Sequence, residues 1–100
     1  MIHEILPQGR ENAIPGRDLI AILKLKDLRD LTQLVERERL DGFPICASTS
    51  NEKGYYLASN ADELGDYIES LKRRIHNVGR TMTHLEDTLD RMTGQEKIGG

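Results

Sequence analysis

The 100-residue chain is long enough for one domain, or for one small domain with an appendage, and it is more charged than a typical compact domain. Fourteen basic and 17 acidic residues give a net charge of −3, which excludes a uniformly basic surface but not a local basic patch. A single cysteine excludes an intramolecular disulfide framework and a cysteine-based zinc cluster, and it fits a reducing compartment.

Membrane insertion and secretion are not expected. No apolar run approaches the roughly 20 residues of a membrane span, and the first residues lack the basic-then-apolar pattern of a signal peptide. The sequence therefore predicts a soluble cytoplasmic protein with no membrane partner.

Short elements separated by proline and glycine are predicted in the first quarter of the chain. Residues 2–6 form a short amphipathic helical turn that Pro7 stops. Residues 13–14 are extended, as expected before Pro15. Because proline suits a first helical turn, Pro15 opens a helix that ends near Leu23.

A further helix is predicted after a short connector at residues 24–26. Asp27 suits its N-cap, and Asp41-Gly42 ends it just after Leu40. Its inward face is expected to hold four apolar residues, Leu28, Leu31, Leu34 and Val35.

Two β-strands follow, at residues 43–47 and 54–58, because both segments alternate and are rich in β-forming residues. A polar loop joins them as a hairpin. Ile45 and Leu57 are expected to point into the core, while the tyrosines pack their rings and keep their hydroxyls in solvent. Cys46 is expected to be a buried structural thiol.

The strongest pattern is a heptad stripe in the last third of the chain, where no proline occurs between residues 60 and 92. Apolar residues alternate at spacings of four and three for about four heptads, which predicts a coiled-coil helix. Ser59 or Asn60 suits its N-cap, and Thr93-Gly94 is expected to close it. The stripe consists of Leu64, Ile68, Leu71, Ile75, Val78, Met82, Leu85, Leu89 and Met92.

The length of this helix indicates a partner. Some 32 residues span about 48 Å, whereas a domain of about 58 residues is only roughly 27 Å across. The stripe is therefore expected to form a homodimer through residues 64–92, and the alternatives are packing on another protein or on a folded-back tail. Gly65 and Gly79 share one heptad position beside the seam, and the flanking charges form no obvious complementary ladder. The number of helices in the coiled coil and their relative orientation stay open.

The order of elements resembles a winged helix-turn-helix of the branch that includes the N-terminal domain of the biotin ligase repressor and small prophage or mobile-element proteins. The segments that carry the resemblance are Ile14-Pro15-Gly16-Arg17-Asp18-Leu19, residues 35–46, and Gly54-Tyr55-Tyr56-Leu57-Ala58. It implies an α+β, mostly α, fold: a winged domain over 1–58 with a two-stranded wing, a dimerisation helix over 59–93 and a flexible tail over 94–100.

The sequence departs from the family pattern at two places. Glu38 stands where the family usually has a leucine before the arginine, and no Ser or Thr caps the second motif helix. In winged helices that second helix enters the DNA major groove. The resemblance thus implies double-stranded DNA as a partner, and a nucleoid-associated regulator of transcription. The groove-facing set is Lys24, Lys26, Arg29, Gln33 and Arg37, with Lys53 at the wing tip.

Other chemistries find no support in the sequence. His3, His76, His84 and Cys46 lack metal-ligand spacing, and no nucleophile elbow, phosphate loop or dinucleotide fingerprint occurs, so we expect no enzyme, metal or cofactor. The alternative is a non-enzymatic module that binds another protein. The first 58 residues hold eight basic and nine acidic residues, which favours that alternative, whereas the basic set on the second motif helix favours DNA.

Overall fold

The computed structural model describes residues 1–48 and 54–99, with side chains as far as residue 94. The fold is mostly helical with one small antiparallel sheet, so the α+β class is confirmed. Two short 3₁₀ turns, Ile2–Glu4 and Arg10–Asn12, precede the regular elements. Those elements are β1 (Ile14–Pro15), α1 (Gly16–Leu23), α2 (Leu28–Leu40), β2 (Ile45–Ala47), β3 (Gly54–Leu57) and α3 (Ala61–Gly99).

The sheet has the order β1-β3-β2, and both pairings are antiparallel. The predicted hairpin is present, with Ile45 opposite Leu57, but β1 adds a third strand that the sequence showed only as an extended segment. Gly54 permits this pairing, because a Cβ there would lie 2.9 Å from the carbonyl oxygen of Ile14. Pro15 lies on an edge strand, where its missing N–H is tolerated.

The core lies between the two shorter helices, the first 3₁₀ turn and the sheet. It is formed by Ile2, Leu6, Leu19, Leu31, Val35 and Ile45, all of which are buried. Leu34 and Leu57 pack against it, as predicted. Cys46 is also buried, as predicted.

Two predictions about burial were wrong. Leu28 was expected to face inward but is 59% exposed. It is the first residue of α2, at the end of the helix, and its Cδ1 lies 3.8 Å from where a Cβ of Gly16 would be. Tyr56 was expected to keep its hydroxyl in solvent, yet it is buried beside Cys46, its cross-strand neighbour.

The long helix begins as predicted and ends later than predicted. Asn60 Oδ1 accepts a hydrogen bond from the N–H of Glu63 at 2.9 Å, which is an N-cap contact. The helix does not close at Thr93-Gly94 but continues to Gly99. An interior glycine weakens a helix by about 1 kcal/mol without ending it, and the Gln, Glu and Lys that follow favour helix.

The chain forms two compact units, Met1–Tyr67 and the remainder of α3. The first unit holds the sheet, α1, α2 and the first two turns of α3. The second unit is a single stretch of helix. Among the helices that the structure describes, none is both long and apolar enough to cross a membrane.

Candidate nucleic-acid interface

The turn between α1 and α2 is built around a left-handed lysine. Lys24 has φ 55° and ψ 42°, and within the described residues no other non-glycine residue has positive φ. The N–H of Lys24 donates to the carbonyl of Ala21 at 3.3 Å and the N–H of Leu25 donates to that of Ile20 at 2.9 Å. These are the two hydrogen bonds of a Schellman motif, whose left-handed position glycine usually occupies. The backbone of Lys24 is therefore strained in this left-handed conformation.

Two aspartate side chains accept hydrogen bonds from backbone N–H groups at the start of α2. Asp27 caps the helix, since its Oδ1 accepts from the N–H of Asp30 at 3.0 Å. Asp30 Oδ2 in turn accepts from the N–H of Lys26 at 3.1 Å. Carboxylates in the first turn also complement the positive end of the helix dipole. The missing Ser or Thr cap is thus replaced by Asp27, and both carboxylates are held at the backbone.

A polar row lies along α2. Arg29, Gln33 and Arg37 are four residues apart, so their side chains follow one helical face for about 12 Å. All three are exposed, as are Lys24 and Lys26 in the preceding turn. Within the described part of the chain, no hydrogen bond or ion pair engages these five side chains. The structure thus brings five of the six predicted DNA-contacting residues to the turn and one helix, while Lys53 lies outside the described residues.

Glu38 positions α2, a role that was not predicted for it. Its fully buried carboxylate accepts from the N–H groups of Ile2 and His3, each at 2.9 Å, and lies 2.5 Å from His3 Nδ1. The His3 ring stacks on Phe43 with centroids 3.6 Å apart. Burial acts to raise the pKa of Glu38, but the hydrogen bonds from His3 and Ile2 outweigh it and the pKa is lowered. The only sequence signal was the glutamate in place of leucine.

Arg39, the residue after Glu38, connects the same end of α2 to two other elements. Its Nε donates to the carbonyl of Ile45 at 2.8 Å and its Nη2 donates to the Tyr67 hydroxyl at 3.0 Å. The guanidinium also lies 5.6 Å from the centre of the Tyr67 ring. One side chain therefore joins α2 to β2 and to the second turn of α3. Ile45 lies six residues from Arg39 and Tyr67 lies 28 residues from it, both beyond the end of α2, so helical periodicity does not reveal this role.

Glu63 holds the segment that enters α3. Its Oε1 accepts from the N–H of Ser59 at 2.9 Å and its Oε2 from the N–H of Arg10 at 3.4 Å. The hydrogen bond from Ser59 lowers the pKa of Glu63, with burial acting in the opposite direction. The long helix therefore starts at a defined point on the first compact unit.

The titratable side chains of His3, Cys46 and Tyr56 are buried or half-buried. His3 Nε2 lies 3.9 Å from a Glu4 oxygen, and among the described residues no hydroxyl or thiol is hydrogen-bonded to it. Burial raises the pKa of the Cys46 thiol and raises that of Tyr56 to about 12, so both are neutral at physiological pH. In residues 1–48 and 54–99, no three His, Cys, Asp or Glu side chains come together as a metal ion requires.

The predicted seam of α3 is open to solvent. Leu64 and Leu71 are partly exposed, and the other members of the stripe are between 43% and 71% exposed. Such a continuous apolar surface is unusual for an isolated soluble helix. Those exposed members are Ile68, Ile75, Val78, Met82, Leu85, Leu89 and Met92.

Comparison with known proteins identifies no relative. No family model matches the chain, and neither a curated protein nor a solved structure shows significant similarity to it.

Proposed function

We propose that the protein is a dimeric, sequence-specific DNA-binding protein of the winged helix-turn-helix type, acting as a small regulator of transcription. The observation that carries the proposal is the exposed row of Arg29, Gln33 and Arg37 on α2. Arginine and glutamine are the side chains that read guanine and adenine edges with two hydrogen bonds. A row of about 12 Å covers three to four base-pair steps of 3.4 Å.

The charge around α2 supports this assignment. Residues 24–37 hold four basic and three acidic residues. Two of the acidic ones, Asp27 and Asp30, are hydrogen-bonded to backbone N–H groups, whereas the basic side chains have no partner within the described chain. The side chains available to a ligand at this turn are therefore mainly cationic. Phosphate oxygens are suitable acceptors for Lys24 and Lys26.

The arrangement of elements also supports a winged fold. A strand precedes α1, a tight turn joins α1 to α2, and the hairpin of β2 and β3 follows at once. Because β1 pairs with β3, the hairpin belongs to a three-stranded sheet and has more support than an isolated two-stranded ribbon. In such folds the second motif helix enters the major groove.

Leu28 extends the proposed reading surface beyond the predicted residues. It is exposed and lies next to Arg29 at the first turn of α2. An exposed leucine there suits contact with the methyl group of a thymine. We therefore assign Leu28 an apolar base contact.

Weak general attraction to DNA is part of the proposal. The first 58 residues carry one more acidic than basic residue, so phosphate neutralisation alone gives little affinity. Specific binding then depends on base contacts and on two recognition helices in one dimer. Dimers of this kind place their helices about 34–36 Å apart on successive major grooves.

A protein-binding module is the second candidate function. It is favoured by the net acidic first 58 residues and by exposed apolar side chains on α1 and α2. Ile22 is 57% exposed and Leu40 is 89% exposed. In this candidate the same fold presents α2 to another protein instead of DNA.

Selection from random DNA duplexes with the full chain tests the proposal. We expect enrichment of a palindromic site, and Arg29→Ala should weaken binding to it by about 1–3 kcal/mol and relax the preference at one position per half-site. The matched control is Arg73→Ala, which removes an exposed arginine from α3. If no duplex binds better than random DNA at near-physiological salt, or if Arg29→Ala binds like the wild type, the DNA assignment is wrong and the protein-binding candidate replaces it.

A further inference from the structure

The apolar stripe of α3 that lies beyond the first compact unit has eight members. Seven are exposed and Leu71 is partly exposed, so the single chain leaves the stripe from Ile68 to Met92 uncovered. Leu64 is in the first compact unit and is partly buried there. Any partner helix therefore has to cover the residues from 68 to 92.

Heptad geometry gives two ways for a second copy to cover this stripe. In a parallel pair, each core residue packs against the same residue of the second helix. A residue beside the seam then faces the residue of the second helix whose number differs by five. In an antiparallel pair, a residue at one core position of the heptad packs against a residue at the other core position of the second helix. A residue at a heptad position beside the seam faces a residue at the same heptad position of the second helix. The two arrangements therefore bring different charges together.

One antiparallel register pairs all eight stripe residues with each other. It aligns Ile68 with Met92 of the second copy, and its layers then need no residue from the first compact unit. Shifting by one heptad in either direction leaves two members of the stripe on each helix without a partner from the stripe. The four distinct layers are Ile68 with Met92, Leu71 with Leu89, Ile75 with Leu85 and Val78 with Met82.

The charges beside the seam favour this register. It brings Lys72 opposite Glu86 of the second copy, and by symmetry Glu86 opposite the second Lys72, so two ion pairs form. Both side chains are exposed in the single chain, where Lys72 lies 3.2 Å from Glu69 in a surface contact. A parallel pair brings Lys72 opposite Tyr67 and Glu86 opposite Thr81, which gives no ion pair.

Gly79 provides an independent observation. A Cβ at this position would meet nothing within 4 Å in the single chain, so packing within the chain does not require glycine. In the antiparallel register the two copies of Gly79 face each other beside the axis, at the centre of the overlap. Glycine there lets the helices approach closely between the two symmetry-related layers in which Val78 of one copy packs against Met82 of the other.

We infer that residues 68–92 of α3 pair with a second copy in an antiparallel coiled coil, with Lys72 opposite Glu86 and Gly79 next to the two-fold axis. This inference rests on the dimer of the proposed function and specifies its geometry. It makes no use of DNA, so its tests are made on the free protein and are separate from the binding assay.

A charge swap on the full chain tests the register. By sedimentation, Lys72→Glu should weaken dimerisation roughly 3- to 10-fold, because it replaces two ion pairs by two like-charge contacts. Adding Glu86→Lys should restore the wild-type dissociation constant to within about twofold. The matched control is Arg73→Glu, which makes the same charge change on the face away from the seam. Glu86→Lys should not rescue it. A double swap that is weaker than Lys72→Glu alone, or a monomeric wild-type chain, would overturn the inference.

Distances between spin labels separate the two orientations. Arg73, Arg80 and Asp87 are exposed and lie on the face away from the seam, and each is replaced by cysteine in a separate variant. In the antiparallel pair the two Arg80 sites lie level, while the two Arg73 sites and the two Asp87 sites are displaced by about 21 Å along the axis. Equal distances for all three variants would show a parallel pair and reject the register. Cys46 is buried, so the unsubstituted chain gives the labelling background.

Discussion

Glu38 and His3 are 35 residues apart in the sequence and form a buried contact. The Glu38 carboxylate accepts a hydrogen bond from the backbone N–H of His3 and also lies beside Nδ1 of the His3 ring. A second bond from the N–H of Ile2 completes the site. The glutamate therefore acts as the cap of the first 3₁₀ turn, supplied from the last turn of α2.

The first prediction concerns acid stability. Because the pKa of Glu38 is lowered from 4.5 in the folded state, its contribution to stability is fully present above that ordinary value. The free energy of unfolding should fall as the pH drops from about 5 through the lowered pKa. Urea titrations followed by circular dichroism at several pH values measure this slope. Glu38→Gln should reduce the slope below pH 5, and an unchanged slope would contradict the assignment.

The second prediction compares substitutions of Glu38 at neutral pH. Glu38→Gln keeps one acceptor oxygen, whereas Glu38→Leu leaves the N–H groups of Ile2 and His3 without a partner. Unsatisfied buried donors cost about 1–3 kcal/mol each, so stability should fall in the order wild type, Gln, Leu. The matched control is Glu36→Leu, at an exposed position on the same helix. A Glu38→Leu variant as stable as the wild type would show that burial of the apolar chain outweighs the lost hydrogen bonds.

The third prediction separates backbone strain from charge at Lys24. Lys24→Gly should stabilise the fold by about 0.5–1 kcal/mol, because glycine adopts positive φ without the Cβ clash. Lys24→Asn should give a smaller gain, since asparagine tolerates this conformation better than lysine does. Thermal unfolding of the three proteins measures the effect.

The same Lys24 variants also test the proposed phosphate contact. Both remove the charge, so both should weaken binding to the selected duplex evenly across sequences and reduce its salt dependence by about one charge per subunit. Increased stability together with weaker DNA binding would show that the strained lysine serves the ligand. Unchanged binding by both variants would remove Lys24 from the interface.

The fourth prediction concerns the junction of α2 with α3. Tyr67→Phe removes the hydroxyl that accepts from Arg39 but keeps the ring beneath the guanidinium, so it should destabilise the first unit by about 0.5–1.5 kcal/mol. Amide exchange should become faster at residues 61–67 and change little near residues 82–92. The control is Tyr55→Phe, which removes a tyrosine hydroxyl from β3, the strand that pairs with β2. Uniformly faster exchange along all of α3 would instead indicate that Tyr67 stabilises the whole helix.

Local chemistry determined much of the secondary structure. Pro15 opens the first helix, Asp27 caps the second and Asn60 caps the third, because capping involves residues within one helical turn. The four-three spacing of apolar residues likewise predicts a helix with one continuous face, since periodicity alone sets which side chains align. The exposed polar row on α2 was predicted for the same reason.

Contacts between distant residues decided the rest. β1 became a strand by pairing with β3, Tyr56 is buried opposite Cys46, and Glu38 found its donors 36 and 35 residues away. The sequence alone placed Leu28 in the core because its spacing fits the inward face, but only the fold shows that this residue stays largely exposed at the first turn of α2. Periodicity selects the face of a helix, whereas burial depends on which elements pack over that face, and packing is a tertiary property.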